Sequence, residues 1–217
     1  MAEMRLIKKG AEAELYLTDW MGLKAVLKRR IKKGYRNPDL DSYVRGSRTS
    51  NEAKLLSEAR RLGVPTPVVY SVDKRNCEIV MSYIDAPPLK RFVDGMDPEG
   101  LALTFSRVGE MVGRLHRGGI VHGDLTTSNI IPYSGLLYLI DFGLGEHSSD
   151  TESRGVDIHL MRRALESSHH EVSSEAYLSF IEGYRGVMGD LSDPVLRRVD
   201  AIRRRGRYVD VNHRKEA

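Results

Sequence analysis

Three oxygen-bearing side chains in the middle of the chain constrain its fold most strongly. Asp124 and Asn129 are five residues apart in the segment HGDLTTSN, and Asp141 follows Asn129 by twelve residues, directly after the apolar segment LYLI. A short apolar run of this kind is typical of a buried strand. Carboxylate and amide oxygens are the hard ligands that Mg²⁺ prefers. The spacing therefore predicts a site in which Asn129 and Asp141 are the metal ligands, with a second carboxylate, Asp124, beside them.

The same segments resemble the catalytic loop and the metal motif of protein kinases. HGDLTTSN is similar to the H-R-D…N loop, and IDFG is similar to a strand that ends in D-F-G. The resemblance implies ATP as the phosphate donor, Mg²⁺ or Mn²⁺ as the metal ion, and Asp124 as the catalytic base or the group that orients the nucleophile. Gly123 stands where many kinases have an arginine that pairs with a phosphorylated activation loop, so we expect that switch to be missing.

The first part of the chain predicts a small sheet. Residues 4–30 alternate in polarity and indicate three strands joined by short turns, while 68–73 and 77–84 indicate two more. We interpret the polar, basic segment 31–48 as a loop. A helix is predicted over 49–63, where apolar residues recur at helical spacing.

The kinase resemblance assigns two charged residues of this part to the nucleotide. The segment AVLK resembles the V-A-I-K motif, so Lys28 is expected to hold the α- and β-phosphates, and the neighbours Arg29 and Arg30 are set aside. Its expected partner is Glu52, with Glu58 as the second candidate. Glu52 also completes a capping box with Thr49, which explains it locally without any ion pair.

Two further segments are expected to surround the nucleotide. The turn between the first two strands keeps one of the three glycines of the kinase phosphate-covering loop, and the end of the fifth strand matches the hinge that meets adenine. In the hinge, Met81 is the expected gatekeeper. The nucleotide-binding residues predicted from the two segments are Gly10, Ala11, Glu12, Met81, Ser82 and Ile84.

Beyond residue 86 the periodicity predicts helices over 103–116, 156–165, 174–188 and 192–204. The fold class expected is therefore α+β: a two-lobed, protein-kinase-like fold with a small β-rich lobe over 1–85 and an abbreviated helical lobe over 86–217. Asp157 follows Asp141 by only sixteen residues, and the Ala-Pro-Glu segment of protein kinases, in a region that holds a peptide substrate, is missing. Asp157 is expected to brace the catalytic loop or, alternatively, to favour a helix N-terminus.

Charge and composition limit the possible partners and the cellular compartment of the protein. The net charge of +4 hides two basic clusters, nine Lys and Arg over 24–48 and eight over 197–217, which indicate either a polyanion partner such as RNA or a solvated surface. One cysteine excludes a disulfide framework and a cysteine-based metal cluster. Because no stretch of 18 apolar residues and no signal-peptide core are present, we expect a cytoplasmic protein without membrane contact.

The chain as a whole resembles the Bud32/PRPK family of small atypical kinases. The resemblance rests on IKKGAEAELY, AVLKRR with the YRNPDLD segment, RTSNEA, GVPTP, HGDLTTSNII, IDFGLG and RRRGR. It implies a Ser/Thr kinase or regulatory ATPase that belongs to the KEOPS complex, which makes threonylcarbamoyladenosine in tRNA. The implied partners are a Kae1-type threonylcarbamoyltransferase and a Cgi121-type subunit, with tRNA near the basic clusters.

Two other functions remain open from the sequence. A small-molecule kinase of the aminoglycoside or choline type uses a similar H-G-D…N loop, although such chains are usually longer in the helical part. A nucleotide-sensing scaffold without catalysis is the second alternative, and the intact set of Lys28, Asp124, Asn129 and Asp141 argues against it.

Overall fold

A five-stranded antiparallel sheet forms the first part of the chain. The computed structural model describes residues 4–213, with side chains through residue 205, so Arg207, Arg214 and Lys215 of the basic tail lie outside the described side chains. All five predicted strands are present, in the spatial order β1-β2-β3-β5-β4. The strands are β1 Arg5–Lys9, β2 Ala13–Trp20, β3 Leu23–Arg30, β4 Val69–Asp73 and β5 Glu78–Ser82.

The helix between β3 and β4 is much longer than predicted. Helix α1 spans Pro38–Arg61, so the interpretation of 31–48 as a loop is wrong over its second half. The helix begins where the Asn37 side chain accepts hydrogen bonds from the next backbone N–H groups, with proline at the first helical position. The capping box is also wrong, because Thr49 lies in mid-helix and donates its hydroxyl to the Arg45 carbonyl at 2.7 Å.

The second part of the chain is helical, as predicted, and two of its helices pack very closely. Added Cβ atoms at Gly109 in α2 and Gly183 in α4 would lie 2.0 and 1.9 Å from backbone oxygens of the facing helix. Glycine is therefore required at both positions of this crossing. The four helices are α2 Pro98–Arg117, α3 Thr151–Ser168, α4 Ser173–Met188 and α5 Ser192–His213.

Two short antiparallel ribbons hold the segment between α2 and α3. Strand β6 (Ile120–Val121) pairs with β9 (Glu146–His147), and β7 (Ile130–Tyr133) pairs with β8 (Leu136–Leu139). The predicted catalytic loop lies between β6 and β7, and β8 is the strand predicted before Asp141. The two ribbons thus bring both ends of the motif pair to one place.

A continuous apolar core joins the sheet side of α1 to the helical part. Leu55 and Leu56 of α1 belong to the same buried cluster as Phe105 of α2 and Phe180 of α4. The architecture is the predicted α+β arrangement, and the division into lobes at residue 85 stays a prediction. Within residues 4–213, no helix combines the length and the apolar character needed to cross a membrane.

Candidate active site

Lys28 lies at the centre of a buried ionic network. Its Nζ donates to Glu52 Oε1 at 2.5 Å and to Asp141 Oδ1 at 2.7 Å, so the predicted ion pair with Glu52 is present. Burial lowers the pKa of the Lys28 ammonium, but the charges of Glu52 and Asp141 together outweigh it, and the net pKa is raised. Lys28 therefore stays charged at neutral pH. Glu58, the second candidate, instead contacts His147 at 2.6 Å.

Asp141 reaches Lys28 from an unusual backbone conformation. Its φ of +63° lies in the left-handed region, where a non-glycine residue is uncommon and costs on the order of 1 kcal/mol or more. Burial raises the pKa of this carboxyl, while the Lys28 charge and hydrogen bond lower it further than burial raises it. Asp141 is thus held ionised at the end of the strand, as a metal ligand must be.

Asn129 and Asp124 are joined by the catalytic loop. The Asn129 amide Nδ2 donates to the Asp124 carbonyl at 2.8 Å and to the Asp124 carboxylate at 2.9 Å. Because both contacts use the amide nitrogen, the Asn129 oxygen is the group left to coordinate a cation. One amide oxygen and the Asp141 carboxylate form a hard donor set that fits Mg²⁺.

His122 ties this loop to the strand before Asp141. Its Nδ1 accepts from the Asp124 backbone N–H at 3.2 Å, which leaves the proton on Nε2 to donate to the Ile140 carbonyl at 3.0 Å. The ring also packs on Phe142, with centroids 4.6 Å apart. One imidazole therefore fixes the position of Asp124 relative to the strand that ends at Asp141.

Asp157 supports the loop from the side of α3, and this is the first of its two predicted roles. It lies inside α3 and accepts from the backbone N–H groups of His122 at 2.6 Å and Gly123 at 2.8 Å. Gly123 has φ +79°, and an added Cβ would lie 2.2 Å from the Leu144 carbonyl oxygen. The glycine that replaces the usual arginine is therefore required by the backbone as well.

Arg30 is a site residue that the sequence interpretation set aside. Its Nη2 donates to Glu52 Oε2 at 2.5 Å, so Glu52 holds two cations, one on each oxygen. Lys28 and Arg30 are two apart on β3 and therefore point to the same face of the sheet. This alternation was the signal that could have identified Arg30 from the sequence.

The turn between β1 and β2 is held by a backbone hydrogen bond and by a lysine. Gly10 N–H donates to the Ala13 carbonyl at 2.9 Å, and Lys33 donates to the Ala11 carbonyl at 2.5 Å. The Glu12 carboxylate faces Arg48 at 3.0 Å. The acidic residue in the turn between β1 and β2 is thus paired with arginine.

The hinge end of the cleft is apolar above and below. Leu15 and Val26 line it from the sheet, and Ile131 and Ile140 line it from the β7–β8 ribbon side. The Ser82 backbone N–H donates to the Val68 carbonyl at 2.8 Å, so it is not the group that meets a ligand. Apolar walls of this kind suit a planar base.

The predicted site residues converge on two adjoining cavities of about 240 and 670 Å³, which share Lys8, Leu15, Lys28 and Asp141. A cleft of this size falls in the range of small-molecule sites. Their roles toward a nucleotide stay predictions. All eleven predicted residues line one cavity or the other: Gly10, Ala11, Glu12, Lys28, Glu52, Met81, Ser82, Ile84, Asp124, Asn129 and Asp141.

Comparison with known proteins places the chain in a family. The model of the RIO domain matches residues 22–156. The KEOPS complex subunit Bud32 of Pyrococcus abyssi is 42% identical over 212 residues, which cover 94% of this chain and 96% of that protein. The chain belongs to the Bud32 family. This confirms the resemblance inferred from the motifs.

Longer relatives contain the same unit as one part. The probable bifunctional tRNA threonylcarbamoyladenosine biosynthesis protein of Methanosarcina barkeri is 45% identical over 207 residues, which cover 94% of this chain and 36% of that protein. This Bud32-family chain thus spans little more than a third of the bifunctional relative.

Solved structures confirm the fold. The Rio2 kinase of Chaetomium thermophilum, in a complex described as ADP/Mg²⁺-phosphoaspartate, matches with a TM-score of 0.64 at 17% identity. The match covers 96% of this chain and 71% of the Rio2 chain. The kinase-like α+β fold predicted from the sequence is therefore correct.

Proposed function

We propose that this chain is an ATP-dependent Ser/Thr kinase or ATPase that serves as the Bud32 subunit of a KEOPS complex in threonylcarbamoyladenosine modification of tRNA. The observation that carries the proposal is the constellation of Lys28, Glu52, Asp124, Asn129 and Asp141 around one cleft, in a chain 42% identical to a KEOPS Bud32 subunit.

Each residue has a role that follows from its chemistry. Asp141 and Asn129 would hold Mg²⁺, Lys28 would contact the phosphates, and Glu52 would keep Lys28 in place. When bound, ATP would supply the transferable phosphoryl group, and Mg²⁺ would offset part of the charge on its oxygens. Asp124, held by Asn129, would accept the proton of a hydroxyl acceptor or orient a water molecule.

The segment between Asp141 and α3, where a kinase would hold its phosphate acceptor, is short. Helix α3 begins at Thr151, ten residues after Asp141, and β9 takes two of the intervening residues. Little chain is left to hold an extended peptide, which favours ATP hydrolysis within an assembly over phosphorylation of many substrates. The family membership also favours this function over a small-molecule kinase, and the intact charged set favours it over a scaffold.

The proposed partners are a Kae1-type subunit, a Cgi121-type subunit and tRNA. Within residues 24–48, seven of the nine cations form ion pairs inside the chain, which makes this cluster a poor tRNA surface. The C-terminal cluster is the better candidate. Copurification tests the protein partners. The affinity for tRNA should fall steeply between low and moderate salt, since contacts between cationic side chains and phosphates release counterions. Salt-independent affinity would refute the tRNA contact.

The central experiment measures ATP turnover in Asp124→Asn and Asp141→Asn. Asparagine keeps the size of the side chain and tolerates the left-handed backbone of Asp141. Turnover should fall at least about a hundredfold in each variant, since positioned acid–base and metal groups contribute that much or more.

The matched control is Asp190→Asn, a change of an exposed aspartate outside the cleft. It should keep full turnover, and thermal unfolding should show all three variants folded. Wild-type turnover in both Asp124→Asn and Asp141→Asn would refute the assignment.

A further inference from the structure

The carboxylate of Glu12 is bound to two arginines: Arg30, which lines the cleft beside it, and Arg48, which lines a small adjoining cavity together with Glu12 and Arg30. Arg48 Nη1 donates to both oxygens, at 3.0 and 3.2 Å, and Arg30 Nη1 lies 3.7 Å from one of them. The backbone holds the turn independently, since the Ile31 N–H donates to the Glu12 carbonyl at 2.9 Å. The side chain of Glu12 could therefore leave the arginines without unfolding the turn.

Arg30 has hydrogen-bonding capacity that Glu12 and Glu52 do not use. Its side chain is only 4% exposed, and its Nε has no hydrogen-bond partner among the described residues. It lines the same cavity as Lys28, Asp124 and Asp141. A buried guanidinium with an unsatisfied donor beside a cleft is incompletely solvated, and an anion there would complete its contacts.

We propose that Arg30 and Arg48 form a second anion site at the end of the cleft, which Glu12 fills when no nucleotide is bound and which the terminal phosphates of ATP take over. Glu12 is then a latch that a polyphosphate opens. This inference rests on the proposed nucleotide site and adds a residue pair that selects for the length of the phosphate chain.

Charge and exposure explain why the exchange can run in this direction. Glu12 and Arg48 are 48% and 39% exposed, so their ion pair is screened by water and is worth about 1 kcal/mol or less. A terminal phosphate brings more charge and three acceptor oxygens to the same guanidiniums. The ligand's negative charge also repels Glu12 and favours its release.

The test compares Glu12→Gln with wild type by calorimetric titration of Mg·ATP, Mg·ADP and AMP into the full chain. Removing a competitor worth about 1 kcal/mol should tighten ATP binding roughly fivefold. The gain should be smaller for ADP and absent for AMP, which lacks the terminal phosphates. The control Glu14→Gln changes a carboxylate that pairs with Lys9 and Tyr16 outside the cleft, and it should change no affinity.

A second variant separates the latch from simple charge repulsion. In an Arg48→Gln background the latch has lost its main partner, so adding Glu12→Gln should gain less than about twofold for ATP. An undiminished gain in that background would mean that Glu12 only repels phosphate, and this result refutes the latch.

Two other results also refute it and remain distinguishable from each other. Equal or weaker ATP binding in Glu12→Gln, with wild-type binding intact, refutes the latch and leaves the nucleotide site standing. Failure of the wild-type chain to bind any of the three nucleotides refutes the nucleotide site, and the latch with it.

Discussion

Two buried polar networks, one in the cleft and one centred on Asp157, are built differently. The network in the cleft consists of full charges that share partners, with Glu52 between Lys28 and Arg30, and Lys28 between Glu52 and Asp141. The second network lies on the α3 side of the catalytic loop, which is called below the loop here. It centres on one carboxylate, Asp157, which is fully buried.

The contacts of Asp157 are mostly with the backbone. In addition to two N–H groups of the loop, it meets His116 Nε2 at 3.3 Å, and His116 Nδ1 meets the Tyr184 hydroxyl at 3.0 Å. Burial raises the pKa of Tyr184, so this hydroxyl keeps its proton.

The two networks differ in how easily one of their contacts can be exchanged for another. In the cleft Lys28, Glu52 and Arg30 each have two ionic partners, so one contact of each can be exchanged without leaving that group a bare charge. Below the loop each donor has one acceptor, so any change leaves a buried group unsatisfied. The lower network is therefore the rigid support, and the upper one can rearrange.

The largest effect is expected for Asp157→Ala, which tests whether the network around Asp157 is the rigid support of the loop. The change leaves two backbone N–H groups and His116 without their acceptor in a sealed core, and we expect the free energy of unfolding to fall by about 3–5 kcal/mol. Urea denaturation measures the loss. Asp150→Ala on the same helix removes only an exposed N-cap and should cost about 1 kcal/mol. Equal losses would mean that Asp157 is not the support of the loop.

A double-mutant cycle tests the sharing in the cleft. Lys28→Met and Arg30→Met each leave Glu52 with one cation, whereas the double variant leaves a buried carboxylate alone. The double variant should lose more stability than the sum of the singles, by about 1–3 kcal/mol. Adding Glu52→Gln should restore most of that excess.

The control for this cycle uses Arg29, whose pair with Glu78 is partly exposed. Lys28→Met and Arg29→Met should be additive within about 0.5 kcal/mol, because they share no partner. Additivity in the Lys28 and Arg30 cycle as well would show that the two cations do not support each other.

The smallest expected effect is the acid dependence of Asp141. Its pKa is lowered in the folded state, so its stabilising contribution is present above the ordinary value of 3.8 and is lost as the pH falls through the folded pKa. Wild type should therefore exceed Asp141→Asn in melting temperature at pH 6, and the difference should shrink as the pH falls below 3.8 toward the lowered pKa of the folded state. A constant difference across that range would contradict the ion pair.

Lys28 governs the opposite, alkaline side of the pH dependence of stability. Its raised pKa means that its contribution is present below the ordinary value of 10.5 and is lost only as the pH rises through the folded pKa. Between pH 6 and 9 Lys28 therefore adds no pH dependence of stability.

Helix α1 marks where interpretation of the sequence failed. Asn37 and Pro38 are a standard helix start, but the basic, turn-like composition of 31–48 outweighed that signal. The first turns of α1 instead depend on tertiary and local ion pairs, such as Arg45 with the buried Asp41 at 2.6 Å. Glu52 was identified correctly as the partner of Lys28, although it lies in mid-helix and not in a capping box.

The sequence by itself determined the chemistry of the loop and its strand. Asp124, Asn129 and Asp141 lie within 18 residues, and a short turn and a β-ribbon bring such neighbours together almost regardless of the rest. Only the tertiary structure decided the partners of Arg30, Glu12 and Asp157, which are up to 41 residues away along the chain. Strand register and helix packing set those contacts, because they bring distant residues together in ways that local patterns do not encode.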